Sequence, residues 1–417
     1  MAEDIAIVGG GIAGLTLGLA LHERGIACRI FERAPALRPI GVGINILPHA
    51  ARVLGGLGLE AALTRAAVLT ERSAFFNRFG QLIYDEPLGR AAGYRWPQYS
   101  IHRGDLQAIL ADAFIARAGA AALTTDRTCC GYAATEDGVL LQLAQTSSGQ
   151  PLEAVAARAL VACDGIQSVI RRQLHPDEGP PRYAGVMMWR GVTRTRPFLG
   201  GATMVRAGWL ATGKMVIYPI RGAAGGASQL VNWVAERATP ALGLERDWGR
   251  EGRLADFLPA FADWRFDWLD VPALIAGAEQ VLEFTMVDQD PLPFWSRGRV
   301  TLRGDAAHPM VPRGSNGAGQ AILDAECLAG LLARHGVEDA FRAYEAERLE
   351  ATSRIVLTNR LTPPDIILKE VFERTGDRPF GTIEEVISRA ELSGFQERYK
   401  QIAGYDLARL KAAADRH

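Results

Sequence analysis

The residues between Arg303 and Ala325, RGDAAHPMVPRGSNGAGQAILDA, set a carboxylate (Asp305) and an imidazole (His308) among four glycines, Gly304, Gly314, Gly317 and Gly319. Asp305 can accept hydrogen bonds from a polyol, and His308 can exchange protons near neutral pH. Glycine weakens a core but leaves the backbone bare, so another group can come close to it. A second set stands near the N-terminus: Gly9, Gly11 and Gly14 in G-x-G-x-x-G spacing, with Glu32 18 residues beyond Gly14. That pattern suits a dinucleotide. The first glycine makes a tight turn and the second lets a pyrophosphate reach backbone. The third lets helix and strand pack closely, and the acid takes ribose hydroxyls. The motif does not distinguish NAD from FAD.

These groups act only if strands and helices position them. Ile5 to Val8 is a short apolar strand, a helix is predicted from about Ile12 to Arg24, and CRIFER forms a second strand ending at Glu32. The helix N-terminus would stabilise phosphate charge. RALVACDGIQSVIRR, residues 158–172, reads as a strand, an Asp164-Gly165 turn and a helix from about Ser168. RVTL precedes the Gly304-Asp305 turn as a strand, and a helix starts near Asn316 and Gly317 with free N–H groups suited to negative charge. YSIHRGDLQAILADAF, Tyr99 to Phe114, brings Arg103 to a helix start, an unfavourable place for a cation unless an anion joins it. Gln107 follows one turn later. Gly41 and Gly43 punctuate the Arg38–Leu59 stretch as either a loop or a backbone approach to a ligand.

The 417 residues suit two intimate domains or one large α/β unit. Hydrophobic residues make up 48% and charged residues 22%, as in ordinary globular enzymes. A net charge of −1 gives no electrostatic reason to expect nucleic acid or an anionic membrane as partner. The five cysteines form no C-x-x-C pair, so neither a zinc site nor any other metal site is expected. The odd count and the lack of a basic leader point to reduced thiols and a cytoplasmic location. No apolar run reaches the roughly 18 residues of a membrane span. Monomer and homodimer both stay open.

The ordered motifs, together with the strings GVGINILPHA, WPQYSIHRGDLQAIL, MMWRGVT, VNWVAE, MVDQDPLPFW and GSNGAGQAILDA, resemble the single-component, class A flavoprotein aromatic hydroxylases, in particular their phenazine-carboxylate monooxygenase branch. The resemblance covers the chain to about Arg360. It implies an α/β fold in which a Rossmann-like FAD-binding domain is interleaved with a mostly antiparallel β-sheet substrate domain, as in para-hydroxybenzoate hydroxylase, followed by C-terminal helices. Residues 1–70, 100–178 and 284–360 would form the FAD domain. Residues 71–99 and 179–283 would form the substrate sheet, and 361–417 a helical segment of unknown surface role. FAD contacts are implied from Gly9, Gly11, Gly14, Glu32, Arg33, Gly43, Arg103, Asp164, Asp305 and Gly317. Asp305 would hold the ribityl chain, and the glycines of GSNGAG would let the isoalloxazine lie on bare backbone.

The implied reaction consumes NADH or NADPH and O2, and hydroxylates a small aromatic or heteroaromatic molecule through a C4a-hydroperoxyflavin. The cofactor carries the chemistry, so few catalytic side chains are expected. Tyr218, Pro219, Trp189 and Arg190 are candidates for the substrate wall, with Pro309 facing it. Trp189 reads first as core, and Arg190 could pair with a substrate carboxylate or a structural acid. His308 could act as a base, although a histidine there reads first as held by structure. Two alternatives are another FAD-dependent oxidoreductase of this fold and a non-catalytic FAD-binding sensor. The intact Asp164-Gly165 speaks against the sensor.

Overall fold

The computed structural model describes residues 4–37, 41–222, 227–239 and 250–414. The first three residues of the Arg38–Leu59 stretch lie outside this set. Ile5–Val8 is completely apolar and buried, and it pairs in parallel with Cys28–Phe31 on one side and Ala159–Ala162 on the other. Val300–Leu302 and Leu123–Thr124 extend this sheet in parallel, and Ser296–Arg297 closes one edge antiparallel. Strands buried on both faces in this way need helical cover. The helix Ile12–His22 supplies it, with nearly every side chain apolar and inside. Helices Arg103–Ala118 and Gly317–Leu332 pack against that helix. A three-stranded antiparallel meander, Arg127–Ala134, Val139–Gln145 and Val155–Ala157, sits beside them, and the Ala144–Gln150 segment turns the chain between the last two strands.

The second layer is an eight-stranded sheet built from strands within residues 72–87, 182–221, 229–238, 250–251 and 281–288. Its pairings are antiparallel except for Thr203–Trp209 with Arg72–Phe76. Because side chains alternate along a strand, the sheet sorts its residues by face. Trp189, Trp233, Ile217, Val205 and Ala74 lie on one side, against Phe257, Phe261 and Trp264. The Trp189 ring stacks on Phe257 at 4.8 Å and its indole N–H donates to Glu283 at 2.9 Å. Trp189 is therefore core. Pro219 shares its face by alternation and is removed from the substrate wall. Arg190, Tyr218, Asn232, Lys214 and Glu236 fall on the other face, where Tyr218 stands opposite Asn232 and Lys214 opposite Glu236.

The C-terminal helices Ile366–Thr375, Arg389–Ala403 and Leu407–Ala414 are built into the molecule rather than laid on its surface. Lys214, 1% exposed, contacts Glu236 at 3.1 Å and is also paired with Asp365, just before the first of these helices. Arg206 meets the same Asp365 carboxylate at 3.2 Å. Burial alone would raise the Asp365 pKa, but the charges of Lys214 and Arg206 outweigh it and hold the carboxyl below its usual range. Lys400 reaches back to Glu86 at 2.8 Å, and the Tyr94 hydroxyl donates to the Tyr405 carbonyl at 2.8 Å. Among the described residues no helix is long and apolar enough to cross a membrane.

Removing one member of a buried ion cluster costs about 3–5 kcal/mol, because the remaining charges stay desolvated. Lys214→Met should lower unfolding stability by that order at neutral pH. Asp365 has a depressed folded pKa, so its stabilising effect is present above its unfolded pKa and fades as pH falls through the folded one. The deficit of the variant should therefore shrink in acid. Denaturant unfolding at both pH values tests this, and an equal deficit at both would contradict it.

Candidate functional site

The glycine-rich turn folds as its spacing demands. Gly9 has φ +102°, and a Cβ on Gly14 would lie 1.9 Å from the Gly9 carbonyl oxygen, so only glycine permits this helix–strand contact. Gly11 is the N-cap of Ile12–His22, and a Cβ there would meet nothing within 4 Å. No side chain caps this helix and no acid stands in its first turn. Its free N–H groups and dipole therefore face open space, as an anion-binding helix start requires. The Glu32 carboxylate accepts from the Gly10 N–H at 2.6 Å and from the Ala34 N–H at 2.8 Å, one bond per oxygen. Each oxygen keeps a further acceptor position for a ribose hydroxyl. Gln107 donates to the Gly10 carbonyl at 2.8 Å and so braces the same turn. Arg33 is exposed and has no ion-pair or hydrogen-bond partner among the described residues.

Two buried arginines join this turn to the other two motifs. Arg303, 0% exposed, donates to the carbonyl of Ala13 in the first helix and to that of Ala321 in the helix Gly317–Leu332, with Cys163 Sγ at 3.7 Å. Arg171 donates to the carbonyls of Ala306 and Ala307, both at 2.9 Å, and pairs with Glu178. The Asp164 turn, the Asp305 turn and the N-terminal glycines therefore form one rigid surface. Asp164 accepts from the Val169 N–H at 3.0 Å, and burial raises its pKa above the ordinary value. Its Oδ1 is buried and finds no donor among the described residues. Asp305 is exposed and has no partner among the described residues. A Cβ on Gly317 would lie 3.9 Å from Asp305 Oδ1, so the carboxylate stands at the start of a second helix that also lacks a side-chain cap and a first-turn acid.

Arg103 begins the helix Arg103–Ala118, where it is exposed with an unpartnered side chain. The residue before it, His102, accepts from the Gly104 N–H through Nδ1 at 3.2 Å, and its Nε2 lies 3.0 Å from the Gly41 carbonyl. Nδ1 as acceptor fixes the proton on Nε2, which donates to Gly41 and holds that loop beside Arg103.

The structure bears on four of the sequence readings: His308, Gly43, the GSNGAG glycines and Pro309. His308 is buried, with Nε2 2.7 Å from Asp324, which also takes Arg348 at 2.8 Å. The charges of His308 and Arg348 overcome burial and hold the Asp324 carboxyl well below the carboxylate range. His308 packs against Trp295 and is held by Asp324, as its structural reading expected, and is not a base open to a substrate. Gly43 is glycine because the sheet crowds it: a Cβ would lie 2.7 Å from Asn232, Ile220 and Tyr218. Within GSNGAG, the Gly314 Cβ position is taken by the Tyr399 hydroxyl at 1.9 Å, and Gly319 faces His49. Only Gly317 presents bare backbone toward Asp305. Pro309 is buried behind that turn.

The polar face of the large sheet meets this surface at Gly43. Arg190 donates to the Gly43 carbonyl at 2.7 Å, and the Asn232 side-chain oxygen accepts from the Gly43 N–H at 2.7 Å. Arg190 has no acidic partner within ion-pair distance among the described residues, and its Nε, like Asn232 Nδ2, is buried without an acceptor. Burial pushes the Arg190 pKa down, the neighbouring Tyr218 favours its charge, and the nearby Arg103 opposes it. Burial raises the Tyr218 pKa and Arg190 only partly offsets this, so the phenol keeps its proton. The hydroxyl also adjoins Asn45, which accepts from Ser100 at 2.5 Å, and Ser100 lies 2.6 Å from Thr70. Sequence reading missed Asn45, Asn232 and Arg303. The signal for Asn232 was a polar residue at a period-two position inside VNWVAE.

The FAD binding domain family model matches residues 2–220 and 276–358. The phenazine 1,6-dicarboxylic acid hydroxylase PhzS of Lysobacter antibioticus is 42% identical over 363 residues, spanning 86% of this chain and 89% of the relative. The 3-amino-4-hydroxybenzoate 2-monooxygenase PtmB3 of Streptomyces platensis is 35% identical over 406 residues, spanning 94% and 96%. Klebsiella pneumoniae HpxO, solved with FAD and uric acid, superposes with a TM-score of 0.75 at 22% identity over 97% of this chain and 95% of its own. A salicylate hydroxylase substrate complex gives 0.73 at 23% identity, over 98% and 97%. By fold, motif and identity, the chain belongs to the FAD-binding-domain family, among the class A flavoprotein aromatic hydroxylases.

Proposed function

We propose that the protein is an FAD-dependent, NAD(P)H-consuming monooxygenase that hydroxylates an aromatic or heteroaromatic acid. One observation supports this reading most. Two uncapped helix starts and Asp305, without a partner among the described residues, share a surface that meets a sheet face carrying a partly buried arginine without an acid. FAD supplies the reductive activation of O2, and the protein binds and orients. In this reading Gly11 and the first turn of Ile12–His22 take the pyrophosphate, Glu32 the ribose and Asp305 the ribityl chain. Arg33 and Arg103 add positive charge, and Asp164 offers its unsatisfied oxygen as an acceptor. The N–H groups at Gly317 meet the flavin ring.

Named relatives act on phenazine dicarboxylic acid, aminohydroxybenzoate and hydroxynicotinate, all aromatic acids. Arg190 suits such a substrate, because a carboxylate would supply the acceptor that its Nε lacks. Asn232 Nδ2 and the protonated Tyr218 hydroxyl are neutral donors beside it. The apolar residues Val192, Val216 and Met204 on the same face exclude water around a ring.

Four measurements test this reading. Asp305→Ala should purify as folded protein depleted of FAD, seen as loss of visible absorbance, and full flavin occupancy would remove Asp305 from the site. NAD(P)H oxidation should accelerate with an aromatic acid that gains one oxygen atom. A flavin that never bleaches on mixing with NADPH would instead favour the sensor. A hydrogen bond to a charged group contributes about 1.5–3 kcal/mol, so Arg190→Met should raise KM for an aromatic acid by roughly 10- to 150-fold. The same substitution should change KM for a neutral ring far less, and equal effects on both would contradict the carboxylate assignment.

A further inference from the structure

We infer that Tyr399 is a positioning residue for the flavin: it holds the Asn316 side chain away from its own helix, leaving the first-turn N–H groups of Gly317–Leu332 free for the cofactor. This rests on the FAD placement proposed above. Tyr399 belongs to the C-terminal helix Arg389–Ala403, beyond the residues that the family model matches.

Asparagine at an N-cap normally turns its side-chain oxygen onto the N–H of the second or third helical residue. Asn316 is the N-cap of Gly317–Leu332 and makes no such bond. Its Nδ2 instead donates to the Tyr399 hydroxyl at 2.8 Å and to the Gly314 carbonyl at 3.0 Å. Its Oδ1 faces Gln320 Nε2 at 3.5 Å. The Tyr399 hydroxyl has one proton, which it gives to Asn359 Oδ1 at 2.7 Å, and it accepts from Asn316. That fixes the direction of the network. Asn316 is 1% exposed, Tyr399 2% and Asn359 0%, so water does not compete for these bonds. Gln320 is braced in turn, donating to the Ala403 carbonyl at 3.2 Å and accepting from Arg348 at 2.7 Å.

The backbone of the turn bears the same constraint. Gly314 has φ +70° and Ser315, which has a Cβ, has φ +57°. Two successive left-handed residues persist only where their surroundings over-determine them. The Tyr399 hydroxyl fills the volume that a Gly314 side chain would need, and the Asn316 amide closes onto the Gly314 carbonyl. With Asn316 so held, the helix start carries no cap and no first-turn acid. Its partial positive charge is then available to the negative charge that reduced flavin carries. The C-terminal segment thereby acts on the cofactor without touching it.

Tyr399→Phe keeps the ring and removes only the hydroxyl. The Asn316 amide is then free to cap its own helix and compete with FAD. The expected result is FAD binding about five-fold weaker, the equivalent of one helix cap, read as free-flavin fluorescence on diluting the holoenzyme. The flavin midpoint potential should become more negative. Tyr399→Phe combined with Asn316→Ala cannot form the competing cap and should recover most of both losses. An unchanged affinity and potential in Tyr399→Phe, or a double variant worse than the single one, would overturn the inference. Asp305→Ala separates this from the site assignment. If that variant keeps its FAD, the placement of the cofactor fails. If it loses FAD while Tyr399→Phe is unaltered, only the role of Tyr399 fails.

Discussion

Arg303 is the interaction on which the arrangement depends. It leaves the apolar strand Val300–Leu302, is fully buried, and spends its donors on the carbonyls of Ala13 and Ala321, which belong to two different helices. A buried guanidinium without a carboxylate is tolerated only when carbonyl acceptors are held in place for it. Those carbonyls lie in the helices whose N-termini form the proposed cofactor surface. Arg171, whose charge Glu178 balances, likewise donates to the carbonyls of Ala306 and Ala307. The distances between the Gly11, Asp164 and Asp305 turns are therefore set by two side chains that need not touch a ligand.

Much of this was legible in the sequence. The spacing of Gly9, Gly11, Gly14 and Glu32 has one local solution, a strand–turn–helix–strand unit, and the fold contains it. KMVIYPI and QLVNWVAE alternate as strands of an antiparallel sheet do, and in the fold Tyr218 stands opposite Asn232. Alternation also separates Trp189 from Arg190, adjacent in sequence but on opposite faces. The misreadings share a cause. A glycine signals that something comes close, but not what. Gly43 yields to the sheet and Gly314 to Tyr399, and both partners lie far along the chain. The Lys214–Asp365 pair and the Tyr399 network were illegible for the same reason: long-range polar contacts leave no periodic trace.

The large sheet divides two tasks between its faces. The apolar face, with Trp189, Trp233 and the helices around Phe257, supplies hydrophobic stability independent of any ligand. The polar face can then carry groups that the protein does not satisfy itself. Arg190 Nε and Asn232 Nδ2 are such groups, and each buried orphan costs about 1–3 kcal/mol. A ligand that supplies acceptors would recover this cost on binding, so in the proposed site the same atoms that weaken the protein would favour oxygen-rich anionic rings.

The C-terminal helices complete this logic. Asp365 and Glu236 together neutralise Lys214 and Arg206 at the edge of the polar face, leaving Arg190 as the partly buried cation there without an acid among the described residues. Without these two carboxylates, three cations on one face would repel one another and attract anions without discrimination. Satisfying two of them from within confines the attraction to one position, next to Tyr218 and Gly43. The segment that sequence patterning left without a role is therefore needed on both sides of the site: it sets where negative charge is accepted on the sheet, and through Tyr399 it governs the turn opposite.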